Sequence, residues 1–378
     1  MNITVEQLKN LKDGEYSLLD MRSDAEREYG SIPNSVPVVA DELLKNPPAD
    51  KSKKYVVYCN SGKLSADVVE ELEEKGYKAY NLVLGYAAWL KDRVQEQAAE
   101  DLRKKAEHSL QTTFRRDIWG KFKKAVWDYK LINDGDKVGV CISGGKDSML
   151  MAKLFQELKK YSKFKFDVEY IVMDPGYNSD NRKIIEDNAK NLGIPVHIFE
   201  SDIFESVYHI ERYPCYLCAR MRRGHLYHYA QELGCNKIAL GHHYDDVIET
   251  ILMGMLYGAQ MQTMMPRVNS ANFEGMKLIR PMYLIREADI KAWRDFYNLQ
   301  FIQCACKFTD TCTAEACKTS NTGSKRKKVK ELIARLAKED PEIEQNIFKS
   351  AENVNLSTVI SYKDKHGKIH RYSDEEEQ

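Results

Sequence analysis

Hydrophobic and polar positions change rhythm twice along the chain. Over residues 1–95, short apolar runs at 16–21, 54–58 and 77–82 alternate with helix-patterned segments such as 64–75. That alternation predicts a small α/β unit built on a parallel sheet. Residues 96–130 are then highly charged and Ala-rich, with no Pro and a single Gly, which predicts a helical linker. It leads into an amphipathic helix whose apolar side carries Phe114, Ile118, Phe122, Val126 and Trp127, aromatics best explained by packing. From 131 to 300 the apolar runs return at 137–142, 166–173, 194–199, 237–240 and 278–280, separated by helical stretches at 180–192 and 219–233. This βαβ order predicts a doubly wound parallel sheet with ligand at the C-terminal strand ends. Residues 301–350 hold a cysteine motif and a basic helix, and 351–378 form a polar tail expected to be loosely ordered beyond Ile360.

The run 137–142 breaks into Ser143-Gly144-Gly145-Lys146-Asp147-Ser148 before helix formers resume. Strand, glycine loop and helix N-terminus together make a phosphate cradle. Adjacent glycines let backbone N–H groups approach an anion, and the helix dipole, Lys146 and the hydroxyls of Ser143 and Ser148 favour it further. A Walker A loop would need Gly at 140 and Ser or Thr at 147, so this is a different device. A turn that merely joins strand to helix is the alternative.

The motif resembles the pyrophosphate-binding loop of the PP-loop ATPases. That resemblance implies ATP held by its β- and γ-phosphates, adenylation of a substrate oxygen and release of pyrophosphate. Two further segments fall at strand ends, where such a sheet binds its ligand. Met173-Asp174-Pro175-Gly176-Tyr177 is suited to framing adenosine, and Gly241-His242-His243-Tyr244-Asp245-Asp246 places carboxylates near the nucleotide for Mg²⁺ or proton transfer. The histidines would otherwise only hydrogen-bond at the sheet end, and Asp246 would only cap a helix.

At 378 residues, 43% hydrophobic and 30% charged, the chain is large enough for two or three cores and does not have a disordered composition. Basic and acidic residues balance at 57 each, so any nucleic-acid or membrane surface must be a local patch. The N-terminus lacks a basic region followed by an apolar core, and no apolar run reaches membrane-spanning length. A cytoplasmic protein is expected, and its nine cysteines read as thiol chemistry or metal ligation rather than disulfides.

One of these thiols, Cys59, follows an apolar run directly and opens the loop Cys59-Asn60-Ser61-Gly62-Lys63-Leu64-Ser65 before a helix. Inward-pointing N–H groups and a helix N-terminus stabilise a thiolate or persulfide there. A structural cysteine at a strand end is the other reading. The loop resembles the active-site loop of rhodanese-like sulfurtransferases, together with Asp20-Met21-Arg22, 30–34 and 81–85. The resemblance implies a persulfide carried on Cys59. Departures from the family pattern are Ser31 for His, Asn34 for Gly, Leu64 for Arg and Leu84 for the first Gly of a pair.

Cys215 and Cys218 form a Cys-x-x-Cys pair at a helix start, too few for a closed zinc or iron-sulfur site. Cys304 and Cys306 are candidates for the remaining ligands. Arg222-Arg223-Gly224, the 237–243 block, Asp245-Asp246 and Ile279-Arg280-Pro281-Met282 follow in order. This succession resembles the tRNA 2-thiocytidine synthetases over residues 105–350. The resemblance implies an ATP-adenylated cytidine of the tRNA anticodon loop that accepts sulfur at a 4Fe-4S cluster held by Cys215, Cys218 and Cys306. Cys304 is the alternative third ligand, because the later motif reads Cys-Ala-Cys where the family has Cys-x-x-Cys. Cys312 and Cys317 add a relay thiol or nothing.

The expected α/β chain is therefore a rhodanese-like domain fused to a PP-loop ATPase domain. Ser143, Gly144, Gly145, Lys146, Ser148, Met173, Gly241 and His242 would bind ATP, and Asp147 and Asp246 would organise Mg²⁺ and attack. Expected partners are tRNA and a cysteine desulfurase or other persulfide donor, with no membrane and a homodimer left open. Residues 324–330, Ser-Lys-Arg-Lys-Lys-Val-Lys, would contact phosphates or be a solvated helix face. The same chemistry on another base or a small molecule, and a non-catalytic iron-sulfur and ATP sensor, are the competing functions.

Overall fold

In the computed structural model, residues 1–12, 14–208, 214–302, 321–364 and 366–372 are described. The chain divides into two compact units, Met1–Asp101 and Leu102–Gln378. Among the described residues no helix is long and apolar enough to cross a membrane.

The first unit contains β1 (Asn2–Ile3), α1 (Val5–Lys9), β2 (Tyr16–Asp20), α2 (Asp24–Glu28), β3 (Ser35–Pro37), α3 (Ala40–Lys45), β4 (Lys54–Tyr58), α4 (Leu64–Glu74) and β5 (Lys78–Leu82). Its sheet has the order β1-β5-β4-β2-β3, and every pair is parallel. Along β4 the side chains alternate between cores. Tyr55 and Val57 pack with Val69 and Leu72 of α4, whereas Val56 and Tyr58 pack with Leu8, Leu18 and Leu82. A strand buried on both faces carries the continuous apolar run seen at 54–58. The long helix α5 (Gly85–Gln111) takes the chain onward.

In the second unit a single π-helical turn at Arg115–Gly120 precedes α6 (Lys121–Asp128). Then come β6 (Lys137–Ile142), α7 (Lys146–Tyr161), β7 (Asp167–Asp174), α8 (Ser179–Leu192), β8 (Val196–Glu200), α9 (Ile203–Tyr208), α10 (Pro214–Glu232), β9 (Lys237–Ala239), α11 (Tyr244–Gly258), β10 (Arg267–Asn269), β11 (Lys277–Ile279) and α12 (Glu287–Phe296). Helices α13 (Asn321–Glu339) and α14 (Ile343–Ser350) follow, and strands β12 (Ser361–Lys363) and β13 (Ile369–Arg371) form a hairpin. The main sheet runs β10-β11-β9-β6-β7-β8. All its pairs are parallel except β10 with β11.

Doubly wound packing is visible residue by residue in β6. Val138, Val140 and Ile142 face the core shared with α6, α7 and α12, while Cys141 faces Tyr227 and Ala230 of α10. The burial of Cys141 and Cys235 pushes their thiols up to about 12 and about 11, so both belong to the core rather than to thiol chemistry.

Two expectations fail. Phe114, Ile118, Phe122 and Val126 are buried, but Trp127 is 77% exposed. Those four recur every fourth residue, and Trp127 lies one residue further, about 100° around the helix. The tail is not uniformly loose either, since 361–371 contains the hairpin, closed by a Tyr362–His370 ring stack at 4.8 Å.

Candidate functional sites

The phosphate loop leaves the C-terminal end of β6 and enters α7 at Lys146. Ser148 closes it: its hydroxyl accepts from Ser143 N–H at 3.1 Å and donates to the Gly145 carbonyl at 3.0 Å. Gly144 has φ +79°, and a Cβ there would stand 2.7 Å from Ile185 Cγ1. Gly145 is the N-cap, and no side chain caps the helix. The first amides of α7 therefore face the loop without a side-chain acceptor, the arrangement that takes an anion.

The segment after β9 lies against this loop. A Cβ on Gly241 would come within 3.3 Å of the Asp147 carbonyl carbon and the Ser148 nitrogen, a tight approach that glycine leaves unstrained. His243 starts α11. Its N–H donates to Asp246 Oδ2 at 3.1 Å, and its Nε2 lies 3.5 Å from that oxygen and 4.0 Å from Asp147 Oδ1. The carboxylates of Asp147 and Asp246 thus converge on one imidazole. Asp245 Oδ2 also lies 3.7 Å from His243 Nδ1, and the carboxylate is held by Arg286 at 3.1 Å and the Glu287 N–H at 2.7 Å, tying α11 to α12.

His242 is half-buried. Desolvation, reinforced by Arg280, pushes its pKa down to about 4, and its Nδ1 has no partner. A neutral imidazole therefore faces the site near neutral pH. Burial, then Arg223, also pulls Arg280 down to about 10, and its Nε is unpartnered.

Lys146 donates to both Asp147 oxygens, at 3.0 and 3.1 Å, and lies 3.5 Å from Glu287 Oε1. Burial works against the Glu287 carboxylate, but Lys330, Lys291 and Lys146 prevail and hold it at about 2. Helix α13 adds two cations: Lys330 sits 2.7 Å from Glu287, and Arg326 lies 3.0 Å from Glu249 and 3.6 Å from Asp246. Sequence reasoning named neither Glu249 nor Glu287, and it gave the basic run no place at this site. Charge spacing alone does not say which face of a helix meets an acid.

Met173 is buried near the end of β7 and packs with Ile203, with Cys218 and Met221 of α10 against them. The next residue, Asp174, accepts from the N–H groups of Gly176 and Tyr177 at 2.9 and 2.7 Å, fixing a tight turn at the strand end. Cys215 and Cys218 lie three residues apart in the first turn of α10. Cys218 is half-buried, and the Cys215 side chain lies outside the described residues. Cys304, Cys306, Cys312 and Cys317 also lie outside them.

Two groups remain to be fitted. Among the described residues no three His, Cys, Asp or Glu side chains form a metal cage. Mg²⁺ is commonly held by one or two carboxylates together with substrate phosphates, so Asp147 and Asp246 beside a phosphate loop suit it. The thiols of 215 and 218 are the soft donors that iron-sulfur chemistry requires.

In the first unit, Cys59 ends β4 and is 4% exposed. Burial would raise its pKa, but the Ser65 hydroxyl, 3.4 Å from Sγ, and the N–H groups of Ser65, Ser61 and Gly62 outweigh it and lower the thiol. The loop is fixed from behind. Tyr86 N–H donates to the Cys59 carbonyl at 2.8 Å, and a Cβ on Gly85 would meet that oxygen at 2.1 Å. Buried Arg22 clasps Asp20 at 3.0 and 2.8 Å and lies 3.7 Å from the centre of the Tyr86 ring, while the Tyr58 hydroxyl donates to Asp20 at 2.7 Å. Asn34 and Leu84, two of the departures from the rhodanese pattern, have φ of 64° and 59°. Both occupy left-handed positions where glycine is the usual residue.

A doubly wound sheet with an uncapped glycine loop, a facing carboxylate pair and a separate unit built around an activated thiol defines a nucleotide-binding sulfurtransferase architecture. Family models agree: residues 111–308 match the PP-loop domain and residues 4–92 the rhodanese-like domain. The tRNA-cytidine(32) 2-sulfurtransferase of Coxiella burnetii is 37% identical over 248 residues, covering 64% of this chain and 90% of that one. That of Janthinobacterium is 36% identical over 240 residues, covering 63% and 70%. Among solved structures, the U34-tRNA thiolase NcsA of Methanococcus maripaludis with its [4Fe-4S] cluster aligns at TM-score 0.48 and 21% identity, covering 67% of this chain and 78% of that one. The chain belongs to the PP-loop tRNA 2-sulfurtransferase family and carries a rhodanese-like domain in addition.

Proposed function

We propose that this protein thiolates a tRNA cytidine at C2 in an ATP-dependent reaction, with sulfur delivered through Cys59. The observation that carries this reading is the convergence of Asp147 and Asp246 on His243 beside an uncapped phosphate loop, in a chain of this family. A base carbonyl resists sulfur because its oxygen leaves poorly. Attack of that oxygen on the ATP α-phosphorus releases pyrophosphate and turns the oxygen into part of an AMP leaving group. A sulfur nucleophile then adds at the carbon, and the C–O bond breaks as AMP departs.

In this scheme Lys146 and the amides of Gly144, Gly145 and the first turn of α7 hold pyrophosphate. Ser143 and Ser148 shape the loop, Asp147 and Asp246 would hold Mg²⁺, which would supply positive charge to the phosphates, and Gly241 eases the approach. His242, neutral near pH 7, adds no charge beside the nucleotide, and Met173 supports the adenosine side from within the core. Cys215, Cys218 and Cys306 would hold a 4Fe-4S cluster, which would supply a binding position for the incoming sulfur. Cys59, kept toward its thiolate, attacks the outer sulfur of a persulfide on a cysteine desulfurase or another donor and becomes Cys59–S–SH as the donor thiolate leaves; an external dithiol then supplies the two electrons that release this sulfur at the sulfide level. Carrier and acceptor in one chain raise the effective sulfur concentration.

Anaerobic reconstitution tests this directly. Iron and sulfide loading, ATP, Mg²⁺, unmodified tRNA and labelled sulfide should yield pyrophosphate and labelled 2-thiocytidine on nucleoside mass spectrometry. A loaded protein that releases no pyrophosphate on any RNA refutes the enzyme reading in favour of a sensor. Label in another nucleoside transfers the chemistry to that base.

A further inference from the structure

Helix α13 carries the basic run that the catalytic scheme leaves unused. We propose that the solvent face of α13 and the adjoining end of α11 form the docking surface for the RNA, with lysines on the phosphates and Tyr257 under an unstacked base. This rests on the reading that the substrate is RNA, and it assigns where that RNA is held.

The face is fixed by packing. Val329 and Ile333 are buried in the cluster that includes Val247, Ile248 and Ile251 of α11. With that side of the helix committed, Lys327 and Lys328 stand in solvent, the Lys327 side chain 79% exposed. Glu331 and Glu339 are the only acids in the sequence of α13, and Glu331 reaches Lys327 only at 4.0 Å. In a chain of zero net charge this is a local excess, the footprint expected of a phosphate-binding patch.

An aromatic platform adjoins the lysines. Lys325 Nζ lies 5.2 Å from the centre of the Tyr257 ring, near the end of α11. Tyr257 is 45% exposed, and Leu256 and Met261 are more so, at 54% and 71%. Scattered apolar residues on a surface mean little, but an exposed ring next to cations is the pairing that takes a splayed base and its phosphates.

The surface is also continuous with the adenylation site. The same helix that turns Lys327 and Lys328 outward sends Arg326 to Asp246 and Glu249, and Lys330 to Glu287. RNA bound along α13 therefore lies beside the carboxylates proposed to activate it.

The test is binding of unmodified tRNA to the full chain across a salt series, comparing wild type, Lys327→Glu/Lys328→Glu and Tyr257→Ala. The charge-reversed protein should bind at least about tenfold more weakly, with a log–log salt slope lower by about 2, one for each lost phosphate contact. Tyr257→Ala should bind about tenfold more weakly with its slope unchanged. Lys327→Arg/Lys328→Arg should bind as wild type, and binding of a fluorescent ATP analogue should be the same in all four, which separates docking from misfolding. Wild-type affinity and slope in the charge-reversed protein overturn the docking surface, as does a loss confined to binding of the persulfide donor, which would make the face a protein interface. Failure of wild type itself to bind any tRNA instead refutes the substrate reading.

Discussion

Lys146 Nζ lies 3.5 Å from Glu287 Oε1, so the phosphate loop is tied to the first turn of α12 by charge. The same carboxylate meets Lys330 at 2.7 Å and Lys291 at 3.1 Å. Because those cations depress Glu287 from 4.5 to about 2, its stabilising contribution is complete above about pH 4.5 and disappears as pH falls through about 2. The expected outcome for Glu287→Gln is a lower denaturation midpoint than wild type near neutrality, with the gap closing between pH 4.5 and 2. Urea titrations of both proteins over that range check it, and a gap that is constant with pH contradicts it.

Besides the loop amides, Cys59 faces the Ser65 hydroxyl, whose one proton is shared between Cys59 Sγ at 3.4 Å and Asn81 Oδ1 at 2.8 Å. Ser65→Ala removes one donor to the thiolate and leaves burial unopposed by it, so the thiol pKa rises. The rate of iodoacetamide alkylation against pH should shift to higher pH in Ser65→Ala. An unchanged profile means that the loop amides alone set the thiol.

Cys59→Ser should abolish transfer from a persulfide donor to tRNA while activity driven by free sulfide persists. Parallel assays with labelled donor and labelled sulfide separate the two. Equal loss in both would remove Cys59 from the delivery route and give it a structural part.

Sequence periodicity located β2, β4 and β5 of the first sheet and β6 to β9 and β11 of the second, because strands buried on both faces leave continuous apolar runs, as at 54–58 and 137–142; it missed the short edge strands β1, β3 and β10. The glycine loop was legible for a similar reason: only a few residues permit a positive φ beside an anion. What stayed hidden was long-range pairing. Nothing local to Glu287 or Arg326 announces that one meets Lys146 and the other lies between Asp246 and Glu249. The choice between neighbouring histidines was equally invisible, since the turn into α11 decides that His243 faces the carboxylates. The hairpin at 361–371 was missed because short exposed strands in a polar tail carry almost no alternation.

The left-handed pair Leu84 and Gly85 should respond in opposite directions to substitution. Leu84 is 65% exposed at φ 59°, so it contributes little packing and bears the steric cost of that conformation. That cost is about 1–2 kcal/mol, against about 0.5–1 kcal/mol of extra chain entropy for glycine. Leu84→Gly is therefore expected to stabilise by about 0.5–1 kcal/mol. Gly85→Ala puts a Cβ 2.1 Å from the Cys59 carbonyl oxygen and should destabilise this unit and distort the thiol loop. Thermal melts and Cys59 alkylation rates report the two effects separately.

The π-turn region supplies the last contrast. Phe122 is fully buried, its ring centre 6.0 Å from that of Trp119 and 5.7 Å from that of Phe155. Truncation there opens a cavity that close-packed neighbours refill only partly, so Phe122→Ala should cost about 3–5 kcal/mol. Trp127, five residues on, exposes most of its surface and gives up little on truncation. Trp127→Ala should change stability by no more than about 0.5 kcal/mol. Equilibrium unfolding by guanidinium measures both. A large loss in Trp127→Ala would mean that its ring is covered in solution, and RNA or a second copy would be the first occupants to test by adding tRNA or varying protein concentration.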